Sequence, residues 1–407
     1  MTSHDAPSGD GFVPFFRHYA QTWVHAVAAA GMTAFGTLTI VHRGFAVLAL
    51  AAYVVPPIVL YLRRASTDRA ESDAAADSAE PVATGDGSTD AETVPLERPA
   101  DETGPGPERA GTWTLVDVPT EATLRDVCVT AAGAVHAVGE DGLVLAGAVP
   151  DGTAREWSIT LEDGPAATGE DLHGVAATAD GAAIWVAGDS GAVGRLEAAT
   201  GRHTDYTAPA GITDNWLGVA VGGSNGDETV LLINGSGAIL RGRYRDGDLS
   251  WDDPVTPGSG SSLSGVGLAD ESVGYCCDTN DGVFETTDGG DSFSRVGPVG
   301  ADGTLENLAT LGRGDCFVST DDGVVHRYDG LTWTPERVGD EAICGLTRRE
   351  GETIACDAVG AIHERTPMAE WERADTVAPE SLLAVSVDTA GDRAVAVGEN
   401  GTVVERR

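Results

Sequence analysis

The sequence predicts an all-β fold, a seven-bladed β-propeller, from three recurring observations. An apolar pair three positions apart recurs seven times, at Leu124/Val127, Leu172/Val175, Trp216/Val219, Leu263/Val266, Leu305/Leu308, Ile343/Leu346 and Leu382/Val385. The pairs stand about 38 to 48 residues apart, the period of a four-stranded propeller blade. Each is followed, roughly 17 to 21 residues on, by a glycine in a turn-like setting: Gly142, Gly191, Gly237, Gly282, Gly323, Gly360 and Gly401. Six of these glycines are followed in turn by an aromatic residue: Trp157, Tyr206, Trp251, Phe293, Trp333 and Trp371.

The first anchor of each unit predicts the innermost strand, and the glycine predicts a hairpin within the same blade. In Val138-Gly-Glu-Asp-Gly142 and Val397-Gly-Glu-Asn-Gly401, Asp-Gly and Asn-Gly stand between apolar runs. Both residue types tolerate positive φ, which makes these the strongest short-range hairpin signals. The aromatics are expected to open the outer strands. The seventh unit ends at Arg407 without one, while Trp113-Thr-Leu-Val-Asp-Val-Pro119 precedes the first anchor with an unclaimed aromatic. That segment is therefore expected to pair with the last blade and close the ring, which leaves only short edges exposed to aggregation. The glycine-rich strand around Gly265-Val-Gly267 predicts tight packing near the axis.

A propeller over 112–407 leaves about a hundred residues in front of it. Residues 1–22 are polar, and 23–64 read as a membrane anchor. Phe45 to Leu62 is an uncharged apolar run of 18 residues, about 27 Å as a helix against a hydrocarbon core of about 30 Å. It is expected to span a membrane. Trp23 to Val41 has spanning length but carries His25, threonines and glycines, so a second span stays open. With two spans, Arg17 and Arg63-Arg64 outweigh Arg43, and both ends, with the propeller, fall on the cytoplasmic side of the cell membrane. With one span the flanking arginines nearly balance. Residues 66–111, rich in Ala, Asp, Glu, Thr, Gly and Pro, bury too little apolar surface to fold and read as an acidic, disordered spacer.

Charge narrows the setting. The chain carries 64 acidic and 25 basic residues, a net charge of -39, and every basic residue is Arg. In molar salt the Debye length falls to about 3 Å and such self-repulsion is screened. This predicts a protein of a salt-accumulating microbe that loses its fold on transfer from molar KCl to dilute buffer. Circular dichroism across a KCl series checks this, and full stability in dilute buffer would count against it. The repeats hold no basic face of the kind phosphate binding needs, so nucleic acid is excluded as a partner. The six cysteines lack Cys-x-x-Cys spacing and read as small buried hydrophobes.

One motif carries a resemblance. Thr286-Thr-Asp288-Gly-Gly290-Asp-Ser292-Phe293 fits the Asp-box pattern Ser/Thr-x-Asp-x-Gly-x-Ser/Thr-aromatic, and Tyr328-Asp329-Gly330-Leu-Thr332-Trp333 is a shortened second copy. With the blade period, the chain from about Thr112 to Arg407 resembles the BNR/Asp-box propellers, most closely those similar to the photosystem II stability and assembly factor, in a haloarchaeal type. The resemblance implies a structural box, in which Thr286, Asp288, Gly290 and Ser292 build a hairpin and Phe293 fills a gap between blades. It further implies a non-catalytic scaffold whose partners are proteins, in a membrane complex. The photosystem itself is not implied, because only the fold-level pattern matches.

No cofactor, metal or catalytic site is expected. Sialidase-like chemistry would need an arginine cluster, an acid and a nucleophilic tyrosine, but Tyr206, Tyr244, Tyr275 and Tyr328 show no evident Glu partner in sequence. Asp278-Thr-Asn280-Asp281-Gly282 opens like a calcium loop, yet its Gly comes fifth rather than sixth and no Glu follows at the twelfth place. His136, His326 and His363 stand singly in strands, unlike zinc ligands. Cys276-Cys277 admits a ring disulfide such as some quinone-dependent dehydrogenase propellers carry, but adjacent strand residues face opposite ways and favour two separate thiols. A glycosidase, a quinone-dependent dehydrogenase and a small-ligand or stress sensor remain alternatives. Function is expected on the face loops, among them Asp163 to Asp171, Gly223 to Glu228 and Pro254 to Ser262.

Overall fold

The computed structural model describes residues 111–148, 156–297, 300–374, 378–389 and 393–406. The membrane anchor and most of the acidic spacer lie outside these residues. The described chain forms seven four-stranded antiparallel sheets, a closed propeller. Each innermost strand opens on its apolar anchor: Leu124–Val129, Leu172–Ala177, Trp216–Ser224, Leu263–Leu268, Leu305–Gly312, Ile343–Arg349 and Leu382–Val387. Blades 1 to 6 run inner to outer in sequence order, whereas blade 7 takes its outer strand from Trp113–Leu115, hydrogen-bonded to Val403–Arg406. The register sets Trp113 opposite Arg406 and Leu115 opposite Val404, and the Val116 N–H donates to the Val403 carbonyl at 2.9 Å.

The three-residue spacing of the anchors has a cause in the ladder. In all seven innermost strands the register shifts just after the anchor, for example between Leu124 and Asp126 and between Ile343 and Gly345. One extra residue per strand brings side chains at i and i+3, rather than i and i+2, to the same side. Leu124 and Val127 thus enter one core with Ala384, Val395 and Val397 of blade 7, and Leu305 and Leu308 join Tyr275, Cys277 and Val283 of blade 4. The hydrophobic core is a set of such wedges between neighbouring blades.

The turns between second and third strands fall into two chemical kinds. In blades 1, 2 and 7, two residues take positive φ, Asp141/Gly142, Ser190/Gly191 and Asn400/Gly401. The glycine before each turn is extended and is required for space: a Cβ on Gly139, Gly188 or Gly398 would lie 2.1, 2.0 or 1.9 Å from the carbonyl oxygen of Thr123, Asp171 or Ser381. In blades 3, 4 and 6 a side chain does the work. The Oδ1 atoms of Asn234, Asp278 and Asp357 accept main-chain N–H groups two and four residues on, at 2.8 to 3.1 Å. Gly282 departs from the expected positive φ. It begins a strand, Asp281 takes the left-handed conformation at φ 59, and glycine is needed because a Cβ would meet the Asp278 carboxylate at 2.6 Å. Gly188→Ala is expected to destabilise the propeller by about 3 kcal/mol or more, since main chain must move. Gly235→Ala, whose Cβ would meet nothing closer than 3.8 Å, should change it by less than about 0.5 kcal/mol. Thermal unfolding in molar KCl compares the two.

In blades 1, 5, 6 and 7 the outer aromatic ties its blade to the one before it. The indole N–H of Trp157 donates to Glu405 at 2.9 Å, that of Trp333 to the Val296 carbonyl at 2.8 Å, that of Trp371 to Glu336 at 3.3 Å and that of Trp113 to Glu364 at 2.8 Å. Two of the seven depart from the expected place. Tyr206 follows the outer strand His203–Asp205 and Trp251 ends Asp248–Trp251, so these aromatics close their strands.

Candidate functional site

The inner strands enclose an axial channel of about 550 Å³ to which all seven blades contribute. Close packing near Gly265 is present, since a Cβ there would meet the Leu308 nitrogen at 3.1 Å, but it does not close the axis. The bulge position shows how the ring is stitched. Asp126 accepts the N–H of Val127 with one oxygen and that of Val175, on the next blade, with the other, both at 2.8 Å. Asn307 accepts the Leu308 N–H at 2.7 Å and donates to the Cys344 carbonyl on blade 6 at 3.2 Å. Blades 2, 3, 4 and 6 carry glycine here, and at Gly174 and Gly345 a Cβ would fall within 2.9 Å of the main chain of the next blade.

The chemistry available in the channel is modest. Arg125 pairs with Asp171 at 2.9 Å and Glu140 at 3.4 Å, and His173 with Asp189 at 2.8 Å. Burial pushes Asp126 up to about 7 against the pull of its two N–H donors. Burial, then the Asp321 carboxylate, raises Glu306, and burial, then Glu306, pushes the Cys344 thiol up to about 11. A thiol so raised is a poor nucleophile at neutral pH.

The other sequence candidates are accounted for structurally. Tyr275 does have a Glu partner, contrary to the sequence expectation: its hydroxyl donates to Glu285 at 2.5 Å and accepts the Gly314 N–H at 2.7 Å. The two are directly opposed on neighbouring strands, a pairing that sequence distance concealed. Tyr275 is fully buried, and burial first, then Glu285, raises its pKa, the wrong direction for a nucleophile. Tyr206 stacks on Trp185 with ring centres 5.4 Å apart, and Tyr328 on Trp333 at 4.9 Å. Cys276 and Cys277 are free and buried and enter different wedges, one with Leu231 and Phe284 and the other with Leu305 and Val318. Among the described residues no group of three or more His, Cys, Asp or Glu side chains is arranged to hold a metal ion.

In the segment expected to form an Asp-box, Asp288 Oδ1 accepts the Ser292 N–H at 2.9 Å and the Thr286 hydroxyl at 2.9 Å, and Ser292 Oγ donates to Asp288 Oδ2 at 2.6 Å. Thr286 Oγ1 accepts the Gly290 N–H at 2.8 Å. Gly289 and Gly290 take φ of 69 and 88, and Phe293 packs against the wedge between blades 3 and 4. In the second copy, Asp329 accepts the N–H groups of Leu331 and Thr332 at 3.0 and 2.8 Å.

Two buried polar groups differ from their sequence reading: His136, expected as a satisfied strand histidine, has no hydrogen-bond partner, and Glu228, expected in a surface loop, is buried in an ion pair. His136 is almost wholly buried, with neither ring nitrogen hydrogen-bonded, and burial lowers its pKa from 6.5 to about 4. The unfolded chain takes up the proton first, so stability is lost as pH falls from 6.5 towards 4 and levels off below that. The loss is expected to reach about 3 kcal/mol. His136→Leu should flatten this limb in a pH series of unfolding midpoints. The second group is an ion pair. Glu228, fully buried, receives Arg195 through Oε1 at 2.6 Å and Oε2 at 3.1 Å, and the Trp185 indole N–H at 2.6 Å. Glu228 closes the loop expected to be a functional surface, Gly223 to Glu228. That segment is a tight hairpin between Trp216–Ser224 and Asp227–Asn234, and its acid points inward.

Fold and site together define a seven-bladed β-propeller with structural polar networks between its blades and a polar, open axis. Particular solved propellers match it over 73% of this chain. They include the WD40 propeller domain of Doa1 at TM-score 0.59 and 13% identity, covering 96% of that chain, and the RRP9 WD40 repeats at 0.61 and 13%, covering 98%. YCF48 from Cyanidioschyzon merolae matches at 0.55 and 14% identity, also over 98% of its length. At these identities the likeness is one of fold. No family model matches the sequence, and neither does any curated protein.

Proposed function

We propose that this protein is a non-catalytic, membrane-anchored scaffold of a halophile, whose propeller docks partner proteins of a membrane complex. The observation that carries the reading is the state of the channel groups. Arg125 and His173 are each held by carboxylates, and Cys344 is raised well above neutrality. The likeness to WD40-repeat propellers and to YCF48 supports it at the level of fold. In this reading residues 45–62, with or without 23–41, hold the chain in the cell membrane, and 66–111 is the spacer. The cytoplasmic side follows if both segments cross.

Affinity capture of the full-length protein from salt-equilibrated membranes, after cross-linking, tests the reading. Recovery of the same membrane-complex subunit in independent captures is the expected result. Turnover of a sialoside or an alcohol by purified protein in molar KCl would replace the scaffold with an enzyme. Protease access to 66–111 in intact cells reads the membrane side.

A further inference from the structure

A second cavity, of about 740 Å³, lies between blades 5 and 6 on the face away from the glycine turns. Its walls are the loops after the innermost strands, around Leu311 to Asp315 and Arg348 to Thr353, and the hairpins that lead to the outer strands. Among the described residues six large apolar side chains are exposed, and two of them line this cavity. Leu311 and Met368 line the cavity, and Leu331 stands on the hairpin that forms one wall. Met368 is 99% exposed and Leu331 90%. Exposed side chains of this size scattered singly need no explanation, whereas a cluster at a groove marks a binding surface.

The same groove concentrates guanidinium groups. Arg327, Arg348, Arg349 and Arg365 all line it, in a chain where acids outnumber arginines 64 to 25. The acids facing them are shared. Glu336 serves both Arg327 at 3.3 Å and Arg365 at 2.9 Å, and Glu352 serves both Arg349 at 2.9 Å and Arg406 at 2.9 Å. A guanidinium carries five N–H donors, so each of these pairs leaves donors over. Arg348 lies 3.6 Å above the Phe317 ring and is paired with Asp315, its side chain nine-tenths buried and its Nε without a partner. The outer strand of blade 6 is only Glu372–Arg373, paired to His363 and Glu364. Arg365 still pairs inward with Thr353, but beyond Glu364 no outer strand pairs with the chain as it runs to Met368, leaving the groove open at its outer end.

We propose that this groove docks a linear segment of a partner protein in which leucine-like side chains alternate with carboxylates. The apolar side chains cover Leu311, Met368 and the exposed edge of the groove, and the carboxylates take the surplus donors of Arg349 and Arg365, whose planar forks suit carboxylate geometry. The groove lining sets Asp315, Asp329, Glu350 and Glu352 against the four arginines, with Glu336 shared between Arg327 and Arg365. It is a place where an acidic segment meets less repulsion than the average surface of this chain presents. Molar salt screens the ionic part of such binding but strengthens the apolar part, so the contact suits a saline interior.

The assignment rests on the scaffold reading and can fail without it. The test uses the full-length protein in detergent and molar KCl, with a fluorescein-labelled synthetic peptide of alternating leucine and aspartate. Saturable binding by fluorescence anisotropy is expected, weakened about tenfold by Leu311→Ser or Met368→Ser and about fivefold by Arg349→Gln. Val359→Ser, an exposed apolar residue in the turn Ala358 to Ala361 of blade 6, should leave it unchanged. A peptide with serine for leucine, or arginine for aspartate, should bind at least tenfold more weakly. No binding by the wild type, equal binding by the Leu311 and Met368 variants, or preference for the arginine peptide overturns the proposal. So does a dimer that dissociates on Met368→Ser, because the groove would then belong to a second copy. If a membrane-complex subunit is still captured by Leu311→Ser/Met368→Ser protein, the scaffold stands and only the groove falls.

Discussion

Trp113→Ala should destabilise the propeller by about 3–5 kcal/mol, the range for emptying a large buried aromatic site. The residue is 3% exposed although it lies on a three-residue edge strand. Its ring enters the wedge formed by Ile354, Ile362 and Val404, its indole N–H reaches Glu364 at 2.8 Å, and the Arg406 guanidinium lies 5.8 Å from the ring centre. Arg406 in turn binds Glu364 at 2.8 Å and Glu352. One side chain therefore joins the first strand of the propeller to its last and to blade 6. Since domains are stable by only about 5–15 kcal/mol, the loss takes a large part of the total. Thermal unfolding in molar KCl should show a lower midpoint for Trp113→Ala than for Trp371→Ala, because Trp371 is only half-buried and makes a longer hydrogen bond of 3.3 Å.

Glu228→Ala is the second large effect, expected at about 3–5 kcal/mol. Removing the carboxylate leaves Arg195, whose side chain is 6% exposed, without its main counter-charge, and leaves the buried Trp185 N–H unpaired. The burial of Arg195 works against its charge, and Glu228 is what restores it and raises its pKa. Asn225 still accepts from Arg195 at 2.6 Å and the Tyr244 ring still lies 4.3 Å from the guanidinium, so the variant should fold, less stably. Replacing both partners with apolar residues of similar volume should cost much less than Glu228→Ala alone. Equal losses in the single and double variants would show that packing rather than charge governs the site.

What the sequence revealed and what it hid follow the range of the interactions concerned. The anchors were readable because the bulge after Leu124, Leu172 and the other first residues imposes one local spacing on every blade. The turn glycines were readable for the same reason, although the cause differs between Gly142, which needs positive φ, and Gly282, which needs room beside Asp278. Closure by Trp113 was readable from an aromatic without a blade. The inward-facing acids were not. Glu228, buried, and Glu364, partly buried, look like surface residues in a chain this acidic, and their partners Arg195 and Trp113 lie 33 and 251 positions away. The open axis was hidden because glycines such as Gly174 and Gly345 record the nearness of the neighbouring blade and carry no information about the space on the other side of the strand. The groove between blades 5 and 6 joins four loops distant in sequence, and only the fold brings Leu311 and Met368 to one place.

Amide hydrogen exchange in molar KCl tests the closed ring most directly. With Trp113–Leu115 paired to Val403–Arg406, the amides of residues 113–116 and 403–406 should be protected together and open in the same cooperative step as the rest of blade 7. Exchange of 113–116 at the rate of an unstructured peptide, while 382–387 and 394–398 stay protected, would mean that the first strand does not close the circle.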